Sequence, residues 1–405
     1  MRIAFWFRYG LAEHAELFPA LPGILNRLAE HADVDYYGPR NVKPLPDLHS
    51  RVRRIDLPWT VDRRRAGDKL AKTLAWMAVL PRIARACRRN GTDAVYLDET
   101  VPLTASMALR GFGPRVAITV ADLFLENYLG RCAWLRPLVR AVEHADRAAW
   151  KRLPLVFTRS YAARDWLVGE GCDPGRVVAV HDPCDLSRYA PGGDRAAARA
   201  RLAVPEDAVL VHFHGILHPN KGLDVALDGF ARAGAQDRRL QFLMVGDGPA
   251  RRSLERRASA LGIAGRVRFA GYVEPAEVAR DLPAADIGLV SRRGGRGDHL
   301  VITSVLGHYL AAGIPVLAAR LDGVAEVMRD GVEGRWYDPA SPEDFARGLT
   351  GMAGDPAARA RMGAGGPVTA KRVYDMERAT RLTVDALLKL AAGPAAGSRM
   401  PAGLP

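Results

Sequence analysis

Short apolar runs alternate along most of the chain with longer segments whose apolar residues recur at helical spacing. In the first 185 residues these runs fall at 3–7, 34–37, 54–57, 94–97, 116–120, 155–158 and 177–181, and each predicts a strand. The intervening segments, such as 135–152, are rich in Ala and Arg and predict helices. Short buried strands joined by amphipathic helices imply a parallel, doubly wound sheet. Residues 186–205 hold a cluster of turn formers followed by a polar helix and read as a connector. The alternation resumes from 209 to about 355. Helices are predicted at 358–362 and 376–390, and the last fifteen residues, rich in Gly, Pro and Ala, read as disordered.

The second half carries an ordered series of loops. They are His-Gly-Ile-Leu-His-Pro-Asn-Lys-Gly (214–222), Val-Gly-Asp-Gly-Pro (245–249), Gly-Tyr-Val (271–273), Ala-Ala-Asp-Ile-Gly-Leu-Val (284–290) and Tyr-Leu-Ala-Ala-Gly-Ile-Pro-Val-Leu-Ala (309–318). Each closes an apolar run or opens a helix, and in parallel sheets ligands bind beyond the carboxyl ends of the strands. Around Gly215 and Lys221 a small turn residue is combined with a fixed positive charge, which suits an anionic phosphate.

At 405 residues the chain suggests two domains of ordinary size. Its N-terminal apolar run is too short for a signal peptide and reads as a first strand, and no apolar run approaches the length needed to cross a bilayer. The four cysteines, Cys87, Cys132, Cys172 and Cys184, form no Cys-x-x-Cys pair, so neither a zinc site nor a disulfide framework is indicated. A reduced, cytoplasmic protein is expected. The net charge is +13, and residues 51–90 alone hold twelve Lys and Arg against three Asp and Glu. No nucleic-acid motif accompanies the charge, so the expected partner of residues 51–90 is an anionic membrane surface or an acidic acceptor. Leu70, Leu74, Met77, Leu80, Ala84 and Cys87 lie at helical spacing there, with Pro81 expected to break the run. Such a stripe suits either a bilayer interface or packing on the sheet.

The loop series resembles the retaining glycosyltransferases of family 4, which have the GT-B fold. That family's order is G-R-x-x-x-x-K-G, V-G-x-G-P, R-V-x-F-x-G-x-V, A-D-x-x-x-x-P-S, a Glu-x7-Glu loop, A-x-G-x-P-V and G-x-x-E-v-x-x-G-x-x-G. The matching residues are Gly215 with Lys221-Gly222, Val245 to Pro249, Arg266 to Val273, Ala285-Asp286, Ala311 to Val316 and Gly323 to Gly334. The resemblance implies two Rossmann-like doubly wound domains facing across a cleft. The corresponding division is an acceptor-binding domain over 1–190 and a nucleotide-sugar domain over 191–375. A C-terminal helix over 376–391 is expected to pack back on the first domain, followed by a disordered tail over 392–405.

In the residues matched, the resemblance implies that Lys221 meets the donor diphosphate and Gly215 and Gly246 permit its close approach. Tyr272 and Val273 meet the base through backbone groups. The family arginine falls on Ile216, so Arg292, Arg293 or Arg296 of the Gly-rich basic loop 291–297 are candidates to replace it. The glutamate pair falls on Leu300 and His308. His308 becomes the candidate ribose ligand, with Asp298 or His299 as sugar contacts. Thr303 and Ser304 begin a helix whose free N–H groups form an anion site. In the first domain a family histidine is replaced by Ala121, leaving His14, Asp98, Glu99 and Asp122 as acceptor-side candidates, the carboxylates able to orient or deprotonate a hydroxyl.

These readings converge on transfer of a sugar from a nucleotide-diphosphate donor to a glycan, lipid-linked or small-molecule hydroxyl with retention of configuration. No metal is expected, because cations and helix ends neutralise the leaving group. Two alternatives stand beside this reading. One is a sugar-nucleotide epimerase; the other is a donor-binding module with weakened catalysis, suggested by Ile216, Ala121 and the altered glutamate pair.

Overall fold

The computed structural model describes residues 1–41, 43–60, 68–97, 101–120 and 136–393. They form two compact units, residues 1–183 joined by 376 onward, and residues 184–375. In the first unit β1 (Arg2–Trp6) is followed by α1 (Leu11–Leu17), α2 (Leu21–Ala29), β2 (Asp33–Arg40), β3 (Val52–Thr60) and α3 (Asp68–Arg89). Then come β4 (Ala94–Leu97), α4 (Thr104–Gly111), β5 (Val116–Val120), α5 (Arg136–Trp150), β6 (Leu155–Thr158), α6 (Tyr161–Gly169) and β7 (Val177–Ala179). The strands make one parallel sheet in the order β3-β2-β1-β4-β5-β6-β7.

The sheet is covered on both faces, which is why its strands read as unbroken apolar runs. Along β1, Ile3 and Phe5 pack with α1 and α2, while Ala4 and Trp6 pack with α3 and α4. That alternation is the two-residue period of a strand.

The second unit contains α7 (Arg195–Arg201), β8 (Val209–His214), α8 (Leu223–Gln236), β9 (Leu240–Val245), α9 (Arg251–Ala260) and β10 (Val267–Gly271). It continues with α10 (Pro275–Asp281), β11 (Ile287–Val290), α11 (Arg296–His299), α12 (Ser304–Ala311), β12 (Val316–Ala319) and α13 (Asp322–Ala325). It ends with β13 (Gly334–Tyr337), α14 (Pro342–Gly354) and α15 (Pro356–Val373). Its parallel sheet runs β10-β9-β8-β11-β12-β13. The last helix, α16 (Met376–Ala392), belongs to the first unit, where Leu387 and Ala391 are buried and Glu377 pairs with Arg27 of α2.

Three elements differ from the sequence reading. The second unit begins at Cys184 rather than near 191, because Cys184 and Tyr189 are buried in its core. Helix α3 continues through Pro81, which sits on the exposed side where water can satisfy the carbonyl it leaves free. Its apolar stripe, including Leu80, Ala84 and Cys87, packs on the sheet. Helix α15 is one element over eighteen residues despite three glycines and Pro367. Those glycines serve packing: a Cβ at Gly363 would stand 2.1 Å from the Gly313 carbonyl oxygen, and one at Gly366 2.5 Å from that of Leu310. The expected tail lies outside the described residues from 394 onward.

Asp286, at the amino end of β11, ties α7 to the sheet. Its carboxylate accepts from Leu210 N at 2.8 Å, from Arg199 at 3.1 Å and from Arg195 at 2.7 Å. Arg199 is 8% exposed and also donates to the carbonyls of Ala284, Pro205 and Ala208. Removing the carboxylate leaves a buried guanidinium without its counter-charge. Asp286→Ala is therefore expected to lower unfolding free energy by about 3 kcal/mol or more, measured by denaturant midpoint. A loss below about 1 kcal/mol would show that the carbonyls hold Arg199 unaided.

Candidate functional site

The loops after β8, β9 and β10 lock together through backbone alone. Gly215 N donates to Val245 O at 2.9 Å, Leu217 N to Asp247 O at 3.0 Å, and Gly246 N to Gly271 O at 2.7 Å. Gly246 has φ 135°, and a Cβ there would lie 1.9 Å from the Gly215 oxygen. No side chain fits between these two turns, so the ends of β8 and β9 stay open to whatever approaches them. Ile216 and Tyr272, on the flanking residues, are 64% and 65% exposed.

The lysine loop is held by the loop after β11. Residues Pro219–Lys221 form a single 3-10 turn capped by His218, and Gly222 follows with φ 62°. Ser291 Oγ donates to Lys221 O at 2.7 Å, while Arg293 donates from N to Asn220 O and from Nε to Pro219 O. Arg293 also pairs with Asp224 at 2.7 Å, and Arg292 pairs with the buried Asp298 at 3.2 Å. The second Asp298 oxygen accepts from Gly295 N. Arg292 and Arg293, expected to reach a phosphate, and Asp298, expected to contact a sugar, are thus found in ion pairs. Arg293 pins the loop that carries Lys221, while Arg292 and Asp298 brace the segment after β11 itself. His299 pairs with Asp322 at 3.2 Å.

Helix α12 follows the segment after β11 and starts without a side-chain cap. Thr303, its N-cap residue, has a buried hydroxyl that makes no hydrogen bond among the described residues, and Ser304 is exposed. The first-turn N–H groups of such a helix lack intrahelical acceptors and favour an anion.

One turn into α12, His308 joins a buried array. Its Nδ1 lies 3.0 Å from His214 Nε2, and its ring stacks on Tyr189 at 3.9 Å. His214 Nδ1 and His212 Nδ1 lie 3.2 Å and 3.1 Å from the Tyr309 hydroxyl, which donates to the His212 carbonyl at 2.7 Å. With that proton committed, both Nδ1 atoms donate to the tyrosine oxygen. His214 Nε2 is then an acceptor, His308 Nδ1 a donor, and His308 Nε2 an acceptor. Burial pushes His212 and His308 down to about 4 and His214 well below its ordinary range, so all three are neutral at pH 7. The sequence reading reached His308 alone. The His-x-His spacing at 212 and 214, which puts two rings on one face of β8, was the signal for the rest.

In the first unit His14, expected on the acceptor side, is buried, its ring 4.2 Å from that of Phe7 and its Nδ1 3.4 Å from the Tyr36 hydroxyl. Asp98, Glu99 and Asp122 lie outside the described residues. Val273 packs with a small apolar cluster at Val245. Among the described residues no group of three or more His, Cys, Asp or Glu is placed to hold a metal, and no helix is long and apolar enough to cross a membrane. A separate cavity of about 760 Å³ at the amino ends of β11 and β12 is lined by Arg195, Arg201 and Arg280, which pair with Asp286 and Asp281.

Two parallel doubly wound sheets with phosphate-type loops in the second unit define the GT-B class. Residues 208–355 match the family model described as glycosyl transferases group 1. It is 35% identical over 219 residues to a D-inositol 3-phosphate glycosyltransferase of Geodermatophilus obscurus, covering 52% of this chain and 46% of that protein. The chain thus spans about half the length of the curated relatives it matches. It is also similar to the sucrose-phosphate synthase of Thermosynechococcus elongatus (TM-score 0.75, 19% identity, 97% and 100% of the chains covered). The Anabaena protein HepE, in complex with UDP and glucose, gives a TM-score of 0.70 at 16% identity, covering 96% and 99%. At these identities the structures speak for the fold.

The depressed histidines give a signed pH dependence. A folded-state value near 4 against about 6.5 unfolded means that the unfolded chain takes up protons first, so stability is full above about 6.5 and falls as the pH is lowered toward 4. His308→Gln keeps a donor for His214 but takes up no proton. Its stability is expected to fall less steeply than that of the native chain between pH 6.5 and 5, by up to about 1.4 kcal/mol per pH unit in denaturant titrations. Equal slopes would place His308 in an ordinary aqueous environment.

Proposed function

We propose that this protein transfers a sugar from a nucleotide-diphosphate sugar to an acceptor hydroxyl, with retention at the anomeric carbon. The observation that carries the reading is the uncapped start of α12, with the unpartnered Thr303 hydroxyl, at the end of the segment whose Ser291 holds the Lys221 loop. In that reaction the sugar–phosphate C–O bond breaks and its electron pair stays on the diphosphate. A bond forms from the acceptor oxygen to the anomeric carbon, and the acceptor proton passes to a basic group. Lys221 and the N–H groups of Ser304 and Val305 meet charge that grows as the bond breaks, which speeds the step. Gly215 and Gly246 leave room for the diphosphate, and backbone groups around Tyr272 and Val273 meet the base.

His308 Nε2, an acceptor, suits a ribose hydroxyl and takes the place of a carboxylate without its charge. The first unit binds the acceptor, with Asp98, Glu99 and Asp122 as its polar contacts. The similar protein HepE, which holds UDP and glucose, supports a uridine-type sugar donor. The reaction needs no metal in this reading, because cationic and backbone groups neutralise the diphosphate.

Exposed Ile216, where the resemblance places an arginine, favours a second reading: a module that binds the donor and cleaves it weakly or not at all. Single-turnover assays separate the two, since binding without release of nucleoside diphosphate selects the second.

One charge-assisted contact contributes about 1.5–3 kcal/mol. Lys221→Ala is accordingly expected to lower kcat/KM by about 10- to 150-fold with the melting temperature unchanged. An unchanged rate would show that another group carries this charge. Turnover is expected to persist in excess EDTA; loss of activity restored by manganese would contradict the metal-independent reading.

A further inference from the structure

The first unit is electrically lopsided. Helices α3, α4, α5 and α6 pack on one face of its sheet and α1, α2 and α16 on the other. The first group holds eleven Lys and Arg against four Asp and Glu, a surplus of seven, while the second holds four of each. The basic residues of β3 do not add to this, because Arg51, Arg53 and Arg54 pair with Asp33, Asp35 and Asp56. Of the basic residues over 51–90, Lys69, Lys72, Arg82, Arg85, Arg88 and Arg89 lie on α3, and Arg63, Arg64 and Arg65 lie outside the described residues. Arg82, Arg85, Arg88, Arg89, Arg110 and Arg140 are exposed and make no ion pair among the described residues. On the same helices Leu74 and Leu138 are 57% and 60% exposed.

We propose that this helical face docks on an anionic lipid bilayer. Unpaired guanidinium groups gain most from a surface of fixed negative charge, and their stems can lie along the headgroups while the charge stays in water. The exposed leucines favour lipid over a nucleic acid, because they can enter the acyl boundary and have no partner on a phosphate backbone. Two rings able to stack on bases are withdrawn: Trp76 and Trp150, on α3 and α5, are 3% and 5% exposed. Docking concentrates the protein at a surface and is independent of the transfer reaction proposed above.

The test is sedimentation of the full chain with vesicles of phosphatidylcholine, alone or with roughly a third phosphatidylglycerol. Binding is expected to the anionic vesicles alone and to fall as salt is raised. A triple variant, Arg82→Glu, Arg85→Glu and Arg89→Glu, is expected to bind more than about a hundredfold more weakly. A control on the opposite face, Arg381→Glu with Lys389→Glu, should bind as the native chain does. Leu74→Ser with Leu138→Ser should weaken vesicle binding several-fold and leave retention on heparin unchanged. The proposal is overturned by failure to sediment with anionic vesicles, by equal binding to neutral ones, by a triple variant that binds normally, or by a leucine variant with native affinity.

Discussion

The candidate site rests on one constraint: two turns that touch through backbone, with no side chain between them. Gly246 lies so close to the Gly215 carbonyl that a Cβ would overlap it, and the hydrogen bonds from Gly215, Leu217 and Gly246 register the ends of β8, β9 and β10 against each other. The loop after β11 is tied to the same assembly through Ser291 and Arg293. Because the joints are backbone to backbone, the surface they present is a set of N–H groups and one lysine loop rather than a layer of side chains. That is a surface suited to a phosphate.

Behind this surface the protein replaces charge with fixed polarity. The Tyr309 hydroxyl proton is committed to a carbonyl, and from that one bond the roles of His212, His214 and His308 follow in sequence. The result is an uncharged acceptor on His308, held rigid by Tyr189 stacked against it. Arg292 and Arg293 of the neighbouring loop pair with Asp298 and Asp224. In the proposed reading the diphosphate is met by Lys221 and the start of α12.

Much of the fold was legible in the sequence because strands buried on both faces must read as apolar runs, and those runs alternate with helical spacing. The order of glycine-bearing loops also placed Gly215, Lys221 and Gly246 in loops after strands and Thr303 at a helix start. Other features were hidden for physical reasons. The tertiary partners of Arg292, Arg293 and Asp298 lie in the chain between residues 219 and 298, and no local pattern announces an ion pair. Helix α15 was shortened in the reading because its glycines lower helix propensity, while in the structure they let its backbone meet α12. Pro81 was read as a break by the same local logic, and packing of the stripe on the sheet overrode it.

The most direct measurement is calorimetric titration of a nucleoside diphosphate into the native chain and into Gly246→Ala, with far-ultraviolet circular dichroism to verify that both are folded. If the backbone joint shapes the site, the native chain binds and the alanine variant, forced to part the two turns, binds at least about tenfold more weakly. Equal affinity in the two proteins would contradict the account, since the ligand would then be held somewhere this joint does not shape.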